Sequence, residues 1–512
     1  MANYVYKRFL HSSVRRLGSD TKFQWIRPTG TDTNLLVYNP VKKCKTPLIL
    51  RHPNVATWYM CGPTVYDSAH IGHACTYMKF DIIRRVMTEF FDINVVVCMG
   101  MTDIDDKIIK RAIDTGESWQ SITQRYENEF FSDMDSLNIS RPMLYCKVSA
   151  YIPQIVDFIK KIADKGVAYI GKDGSMYFDT SKHSSYGKLE VPQIEETHQN
   201  KRSSLDFALW KKSKENEPHW ESPWGRGRPG WHIECSAIAS AIFGNNIDIH
   251  SGGIDLAFPH HENEEAQSCC HHNVEQWVNY WLHTGHLHLE GDTKMSKSLQ
   301  NTVSIANMLK SCTPNQFRMF CLLSHYRNNV IYSSQLVNTA SELLKKIEFF
   351  ISNCNDYVAG NYCGGNVDSI TLLKNLEQTR KKVYEALADD YNTPNAIQAI
   401  IKFISSTNKM MADEKKTNGI RDPGSVAAAS NYVQTFISKL GIKLSSERQS
   451  RRDLSNILDI LINFRHDVRL QAKKDKNMEL LQSCDTVRTS LSNCGIDVRD
   501  RAHQSTWTVR SK

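Results

Sequence analysis

Two histidines, His70 and His73, flank Ile-Gly at a point where a predicted strand gives way to a predicted helix. The start of a helix presents unpaired backbone N–H groups and the positive end of the helix dipole, so it attracts anions. Gly72 allows a nucleotide to approach the backbone closely, and imidazole donors beside it can stabilise charge on a phosphate under attack. The motif therefore favours a nucleotide site, although the pair alone also fits two capping histidines or part of a metal site.

Two lysines form a second motif far downstream. Lys294 and Lys297 bracket Met-Ser in a loop that follows the apolar stretch 281–289. On a mobile loop, such lysines can close over a triphosphate and neutralise the leaving pyrophosphate. A lysine pair in a loop is usually only solvated, so this motif gains its meaning from the histidine motif that precedes it. We predict that His70, His73, Lys294 and Lys297 are the catalytic groups.

The elements that must position these motifs alternate between strand and helix. Apolar and β-branched runs predict short strands on either side of a helix with apolar residues at helical spacing, which is the βαβ unit of a parallel sheet. A second group of strand and helix signals lies between 230 and 301. The predicted elements are strands at 48–50, 57–60 and 94–99, a helix at 73–91, and strands at 247–250 and 281–288.

The rest of the chain reads as mostly helical. The segment 117–204 has helical patterns around a small hairpin at 168–179, and we interpret it as an insertion in the sheet domain. Beyond 304 the pattern is almost wholly helical and continues to about 494, with a Gly/Asn/Cys-rich break at 353–365. The sequence thus predicts an α/β part followed by an α-helical part.

Composition restricts the class of protein. The chain has 512 residues, 41% of them hydrophobic, and no apolar run near the twenty residues needed to cross a bilayer, so we expect no membrane partner. Its 14 cysteines are scattered and form no Cys-x-x-Cys pair, which is typical of free thiols in a reducing compartment. The formal net charge of +8 suits a polyanionic partner without identifying one.

The segment 1–20 is predicted to be a mitochondrial targeting segment. It carries cations at positions 7, 8, 15 and 16, and no acidic residue precedes Asp20. Apolar residues between the cations can form one face of an amphipathic helix, as import into the mitochondrial matrix requires. The alternative is the frayed basic N-terminus of a cytosolic protein.

The histidine and lysine motifs, in this order and on these predicted elements, resemble the signature pair of class I aminoacyl-tRNA synthetases. Further motifs narrow the resemblance to the cysteinyl-tRNA synthetases of mitochondrial type, from about position 45 to the C-terminus. These motifs are Cys61–Asp67, Thr102–Lys107, Asp206–Lys211, Gly230–Ser236 and Phe258–Glu264. The resemblance implies a Rossmann-type α/β catalytic domain with a parallel sheet and an insertion, followed by an α-helical C-terminal anticodon-binding domain.

The resemblance also sets the predicted domain borders. They are 1–20 for the targeting segment, 45–301 for the catalytic domain with its insertion at about 117–204, 302–360 for a connecting region after the lysine motif, and 366–512 for the anticodon-binding domain. Ala388–Pro394 resembles the start of the family's helical domain. Cations and a stacking ring near the end suit an anticodon loop, although solvated helix faces explain them equally well. They are Arg451, Arg452, Arg465, Arg469, Lys473, Lys474, Lys476 and Trp507.

Selection of cysteine over serine requires more than a pocket of the right size, because the two differ only by sulfur for oxygen. A Zn²⁺ ion meets this need, since a thiolate is a far better zinc ligand than a neutral hydroxyl. With Pro259 in the first turn of a helix, His260 and Glu264 share one face, and His261 with Glu265 fit equally well. The resemblance implies one Zn²⁺ per chain on Cys61, Cys235, His260 and Glu264; without it, both cysteines read as ordinary buried thiols.

The resemblance assigns further residues to the substrates. Gly62, Thr102 and Trp231 are implied to line the cysteine pocket. ATP, used with Mg²⁺, is implied to contact His70, Gly72, His73, Gly252, Gly253, Asp255 and Lys297, with Asp255 at the ribose. From the residues alone, 250–255 reads as a tight turn after a strand. The family pattern has glycine where this chain has Ser251.

Three carboxylates, Asp103, Asp105 and Asp106, look at first like an acid–base pair or a Mg²⁺ site. Adenylation needs mainly positioning and phosphate neutralisation, so we interpret them as salt-bridge and helix N-cap residues. Lys107 and Lys110 read as solvated lysines. Relatives with a similar lysine-rich segment make cysteine persulfide with pyridoxal phosphate, so the resemblance implies a second activity on these lysines.

The main activity implied is ATP-dependent activation of L-cysteine to cysteinyl adenylate and its transfer to the 3′ end of the tRNA for cysteine. We expect it to serve mitochondrial translation and to be carried out by a monomer. One rival is a cysteine ligase that couples the adenylate to a sugar amine, but such relatives lack the long helical region. The other rival is a catalytically dead RNA-binding protein, which two intact motifs disfavour.

Overall fold

The computed structural model describes residues 23–190, 200–290, 293–294, 302–361, 365–412, 422–444, 450–500 and 505–509. Contacts divide the chain into two compact units, residues 1–442 and 443–512. This break falls within the region predicted to be the anticodon-binding domain, and the predicted domain borders stay a prediction. The predicted targeting segment, 1–20, lies outside the described residues.

The described part of the first unit starts with a hairpin and then alternates strands and helices. Its first elements are β1 (Thr31–Asn39), β2 (Cys44–Leu50), β3 (Val55–Thr64), α1 (Ile71–Phe91), β4 (Asn94–Thr102), α2 (Asp106–Thr115), α3 (Trp119–Ser136), β5 (Leu144–Lys147) and α4 (Ile152–Asp164). Next come β6 (Ala168–Ile170), β7 (Met176–Phe178), β8 (Phe207–Lys212), β9 (Gly227–Pro229), α5 (Trp231–Phe243), β10 (Ile247–Gly253), α6 (Glu262–His272) and β11 (Val278–Thr284).

The remainder of this unit is mainly helical. Its elements are β12 (Leu287–Leu289), β13 (Thr293–Lys294), α7 (Ile305–Met308), α8 (Pro314–Leu322), β14 (Val330–Tyr332), α9 (Ser334–Ala359), α10 (Ser369–Ala388), α11 (Thr393–Met411) and α12 (Pro423–Lys439). Among the described helices, none combines the length and the apolar character needed to cross a membrane.

A five-stranded parallel sheet in the order β11-β10-β3-β4-β5 forms the centre of the first unit. The chain builds outward from β3 to β4 and β5, and later returns to the other side of β3 with β10 and β11. The strand order therefore reverses between β3 and β10, and ligands bind at such a switch point, outside the carboxyl ends of the strands. The predicted Rossmann-type parallel sheet is confirmed.

Strand β5 corrects the predicted insertion. It lies within the predicted insertion, 117–204, yet it pairs with β4 as a member of the central sheet. A strand of four residues is too short to show a period of two, so the neighbouring helical patterns concealed it. The predicted hairpin at 168–179 is present as β6 and β7, which continue through β8 and β9 into a separate antiparallel sheet.

The second unit has the predicted helices up to about 494 and adds a hairpin beyond them. It contains α13 (Ser450–Lys474), α14 (Met478–Asn493) and an antiparallel hairpin of β15 (Ile496–Asp500) and β16 (Ser505–Val509). Arg465 is buried, and its guanidinium donates to both oxygens of Asp500 at 2.7 and 3.1 Å. The indole of Trp507 donates to Asp459. Arg465 is thus a structural residue that joins α13 to the hairpin. Because it is buried, we no longer count it among the cations predicted to contact tRNA.

A buried ion pair joins helix α1 to helix α8. Arg318 on α8 donates to Asp81 on α1 at 2.6 Å, and it also donates to the carbonyl of Asn138 at 2.7 Å. Arg85 donates to the same carboxylate at 2.8 Å, and the N–H of Ser140 donates to it at 3.0 Å. Burial alone would raise the pKa of Asp81, but the two guanidinium groups outweigh it and hold the pKa below its usual value.

We predict that Arg318→Met lowers the free energy of unfolding by about 3–5 kcal/mol, because it leaves a buried carboxylate without its main partner. A urea titration monitored by circular dichroism measures the change. Since the pKa of Asp81 is lowered in the folded state, its stabilisation is present above its unfolded pKa of about 3.9 and is lost as the pH falls through the folded pKa. The Arg318→Met protein should lose less stability over this acid range than the wild type; an equal loss would contradict the assignment.

Candidate metal and nucleotide site

The carboxyl edge of the central sheet gathers several predicted site residues. Cys61 lies near the end of β3, Thr102 at the end of β4, and Gly252 and Gly253 at the end of β10. These three strands are neighbours in the sheet, so their ends meet in one region. The first turn of α1, which starts after β3, carries the histidine motif to the same edge.

Four residues come together near this edge of the sheet, although they lie up to about 200 positions apart in the sequence. Cys61 Sγ lies 3.9 Å from Cys235 Sγ and 3.7 Å from Glu264 Oε1, and His260 Nε2 lies 3.0 Å from that same oxygen. All four side chains are buried, and their ligand atoms lie within 4.8 Å of one another. Cys61 belongs to β3, Cys235 to α5, His260 to the turn before α6, and Glu264 to α6 itself.

The arrangement fits a zinc ion. A tetrahedral zinc with bonds of about 2.0–2.3 Å holds its ligand atoms about 3.3–3.8 Å apart, close to the separations found here. Metal-bound groups are normally oriented by outer hydrogen bonds. Here His232 Nδ1 contacts His260 Nδ1 at 2.9 Å, and His250 Nε2 contacts the second oxygen of Glu264 at 2.8 Å. Two thiols in the donor set favour zinc over a hard cation such as Mg²⁺.

The geometry also decides between the two ligand pairs that the sequence spacing allows, His260 with Glu264 and His261 with Glu265. Glu265 points away from the cluster, and its carboxylate accepts the N–H groups of Trp277 and Val278, both at 3.2 Å. His261 lies 3.4 Å from Cys61 Sγ, and it contacts His283 through its other nitrogen. The pair His261 and Glu265 therefore does not form a metal site. Residue 259 precedes α6 in a short helical turn instead of lying in its first turn.

Charges in this cluster reinforce one another. Burial would raise the pKa of Glu264, but His250 and His260 outweigh it and lower the pKa to about 2. Burial likewise opposes a charge on His260, yet Glu264 raises its pKa to about 10. A hydrogen bond with Cys61 lowers the pKa of the Cys235 thiol to about 6. Without a metal, the cluster thus pairs an anionic carboxylate with an imidazolium, and a bound cation would take the place of the imidazolium proton.

The histidine motif forms a reciprocal cap on helix α1. The N–H of Gly72 donates to His70 Nδ1 at 3.1 Å, and the N–H of His70 donates to His73 Nδ1 at 3.2 Å. A neutral imidazole that accepts at Nδ1 carries its proton on Nε2. The cap therefore fixes the tautomer of both rings and makes each Nε2–H a donor at the positive end of the helix.

Comparison with known proteins agrees with this geometry. The family model for the class I (C) tRNA synthetase catalytic domain matches residues 48–342. The "Probable cysteine--tRNA ligase, mitochondrial" of Xenopus tropicalis is 44% identical, with 95% of this chain and 91% of that protein covered. The "Cysteine--tRNA ligase, cytoplasmic" of Dictyostelium discoideum is 38% identical, with 96% and 80% covered. The chain belongs to the cysteinyl-tRNA synthetase family.

Solved structures support the same fold at low sequence identity. Methionyl-tRNA synthetase of Mycobacterium tuberculosis, in complex with methionyl-adenylate, superposes with a TM-score of 0.56 at 15% identity, covering 75% of this chain and 90% of that one. The LeuRS of Agrobacterium radiobacter K84, in a ternary complex, gives a TM-score of 0.54 at 11% identity, covering 76% and 84%. These likenesses concern the fold of the synthetase alone.

The residues predicted to line the cysteine pocket of this synthetase have distinct surroundings. Trp231, 39% exposed, stacks near His260 with ring centroids 4.2 Å apart. Thr102 is buried and donates to Glu234 at 3.0 Å. A side chain at Gly62 would collide with the carbonyl of Gly100 on the neighbouring strand. Gly62 thus serves close strand packing, while Trp231 presents an exposed ring beside the metal cluster.

The predicted adenosine-binding turn follows β10 directly. A side chain at Gly252 would meet His261 and Leu256, and Asp255 is exposed with His286 at 4.0 Å. Ser251, the departure from the family pattern, is buried, and its hydroxyl accepts the indole N–H of Trp58 at 2.7 Å. The serine therefore satisfies a buried donor of the sheet without entering the turn.

The lysine motif is described only in part. Lys294 lies in β13, where it pairs with His288 of β12, and Lys297 lies outside the described residues. Lys107 and Lys110 are exposed on α2, and the Lys107 ammonium lies 5.6 Å from the ring centroid of Tyr66. These contacts are those of solvated lysines, so a role with pyridoxal phosphate stays a prediction.

The three carboxylates near α2 are structural, as the sequence indicated. Asp103 accepts both the N–H and the hydroxyl of Ser149, Asp105 caps α2, and Asp106 pairs with Lys211 and Arg228.

Sequence reasoning assigned no role to His250 and His283, which lie beside the metal cluster together with His261. His250 in the middle of β10, His283 near the end of β11 and His261 in the turn before α6 are buried and lie side by side. The available signal was that the predicted strands 247–250 and 281–288 both contain histidines. Residues that follow neighbouring parallel strands converge, but the order of the strands was needed to see it.

Proposed function

We propose that this chain is an ATP-dependent cysteine–tRNA ligase that selects its amino acid through a zinc-bound thiolate. The observation that carries this proposal is the buried set of two thiols, an imidazole and a carboxylate at the carboxyl edge, beside a helix start suited to phosphate. When bound, zinc would act as a Lewis acid that binds the substrate thiolate in preference to a serine hydroxyl. Cys61, Cys235, His260 and Glu264 would hold it.

The chemistry has two steps. A carboxylate oxygen of cysteine bonds to the α-phosphorus of ATP while the bond to pyrophosphate breaks, which gives cysteinyl adenylate. A hydroxyl of the terminal tRNA ribose then attacks the carbonyl carbon, and AMP leaves. His70 and His73 donate through Nε2 to the phosphate oxygens, where negative charge increases. Lys294 and Lys297 are assigned to the departing pyrophosphate, and Gly252, Gly253 and Asp255 to the adenosine.

Cysteine-dependent exchange of pyrophosphate into ATP, followed by cysteinylation of purified tRNA, tests the proposal. Activity in both assays is expected of a cysteine–tRNA ligase. Exchange without tRNA charging would favour the rival that couples the adenylate to a sugar amine. Absence of exchange would favour an RNA-binding protein without catalytic activity.

We predict that serine supports exchange with a kcat/KM at least about a hundredfold below that of cysteine. The reason is that a neutral hydroxyl binds zinc poorly, whereas the pocket itself cannot separate two side chains of nearly equal size. Exchange assays at equal serine and cysteine concentrations measure the ratio. Substantial serine turnover by zinc-loaded protein would reject selection by the metal.

The proposal extends to location and assembly. The matrix is proposed as the compartment because the segment 1–20 has the chemistry of a targeting segment, and one relative is named mitochondrial. Fractionation of cells that express the tagged full-length chain tests this point. We also propose a monomer, which sedimentation at several concentrations checks. The tRNA contact is assigned to the helical region after 366, where Lys473, Lys474 and Lys476 are exposed.

A further inference from the structure

The loop 325–329, between α8 and β14, braces the strand that leads to the lysine motif. The N–H of Gly285 donates to the carbonyl of Tyr326 at 3.0 Å, and the N–H of His286 donates to the side chain of Asn329 at 2.9 Å. A side chain at Gly285 would collide with the backbone of Asn328, so the two segments are in close contact. Strand β12, which follows, pairs in parallel with β14 and antiparallel with β13, where Lys294 lies.

Helix α1 holds this loop from one side. Lys79 is 2% exposed, and its ammonium donates to the carbonyls of Tyr326 and Asn328, both at 3.2 Å. A buried ammonium without acceptors is costly, so these two bonds fix the loop against the helix. Because His70 caps α1 and His73 lies in its first turn, the loop directly contacts the helix of the histidine motif.

Asp390 holds the same loop from the other side. This carboxylate is fully buried at the junction of α10 and α11, and one of its oxygens accepts the hydroxyl of Tyr326 at 2.9 Å. The other oxygen accepts Nε of Arg327 at 3.0 Å and lies 3.5 Å from Nε2 of His325. The N–H of Tyr38 in β1 also donates to this carboxylate at 3.0 Å. A single carboxylate thus contacts three consecutive residues of the loop, 325 to 327.

We propose that Asp390 and Lys79 are positioning residues for adenylation: they clamp the loop 325–329 and thereby place strands β12 and β13 relative to the start of α1. Neither residue needs to touch a substrate. The groups that act on ATP must keep their mutual geometry closely, and displacement by about 1 Å from a distant change costs up to about a hundredfold in rate. This inference rests on the proposed ligase activity.

The decisive variant is Asp390→Asn, which keeps the size of the side chain but replaces one acceptor oxygen by a donor. We expect kcat for cysteine-dependent pyrophosphate exchange to fall about tenfold per active site, with the KM for cysteine unchanged. Tyr326→Phe, which removes one bond to the carboxylate, should shift kcat in the same direction by less. Lys79→Met tests the clamp from the side of α1 and should also lower kcat.

Lys45→Ala is the matched control, because it breaks the exposed 2.6 Å pair with Asp389 at the same junction and leaves the loop untouched. Its exchange kinetics should equal those of the wild type. Rates are normalised by titrating active sites with labelled ATP, so that poorly folded protein does not count. A lower melting temperature of Asp390→Asn with unchanged kcat per titrated site would overturn the inference, as would a rise in the KM for cysteine alone. Absence of exchange in the wild type would instead reject the proposed function.

Discussion

Cys235→Ser should lose its zinc and its cysteine-dependent pyrophosphate exchange together. Cys235 supplies one of two thiols in the buried cluster, 3.9 Å from Cys61. A serine hydroxyl at this position remains protonated and cannot replace a thiolate as a ligand. We expect kcat/KM for cysteine to fall by at least about a thousandfold, or ~4 kcal/mol of transition-state stabilisation.

The experiment measures zinc per chain by atomic emission and the exchange rate on the same samples. Cys354→Ser is the control, since Cys354 is a buried thiol on α9 that is absent from the cluster of Cys61, Cys235, His260 and Glu264. It should retain zinc and full exchange. Exchange by zinc-free Cys235→Ser would leave a class I synthetase that discriminates against serine by other means.

A second readout separates metal loss from unfolding. The metal-binding residues stabilise the fold when zinc is bound, because a ligand that binds only the folded state shifts the equilibrium toward it. Chelation of the wild type should therefore lower its melting temperature, and it should leave the melting temperature of Cys235→Ser nearly unchanged. If the variant lacks exchange but has the same melting temperature as the chelated wild type, it has lost the metal and kept the fold.

The sequence predicted the parts of this site that depend on local spacing. Residues 260 and 264 lie one turn apart in any helix, and a histidine pair at a helix start is visible as a pattern. The sequence could not predict that the alternative carboxylate, Glu265, turns to the N–H groups of Trp277 and Val278. That choice depends on where β11 lies relative to α6, which is a property of the folded sheet.

Burial was the other feature that the sequence concealed. Arg465 lies in the middle of a basic stretch, and only the fold shows that it is buried and donates to both oxygens of Asp500. Asp390 reads as one of two acidic residues in a turn, yet it is buried and bonded to a loop about 65 positions earlier. Contacts between residues so far apart depend on tertiary packing, and local propensity carries no information about them.

His70→Asn should abolish most of the adenylation rate while leaving the fold intact. Asparagine is among the best N-cap residues, and its side-chain oxygen can accept the N–H of Gly72 as His70 Nδ1 does. It cannot reach the position of Nε2, from which the imidazole donates to phosphate. We expect kcat for exchange to fall about 10²–10³-fold, as when one donor to a developing negative charge is removed.

Because asparagine retains the helix cap, the variant distinguishes a catalytic role of His70 from a purely structural role as the cap of α1. If His70 served only to cap α1, Asn would replace it fully, and exchange would continue at the wild-type rate with an unchanged melting temperature. The companion variant His70→Gln tests the converse case. Its longer amide can place an N–H near the position of Nε2, but glutamine is a poor N-cap residue. It should therefore be less stable than His70→Asn and yet exchange faster. This opposite order of stability and rate would assign donation to phosphate to the far nitrogen of the ring and helix capping to the near one.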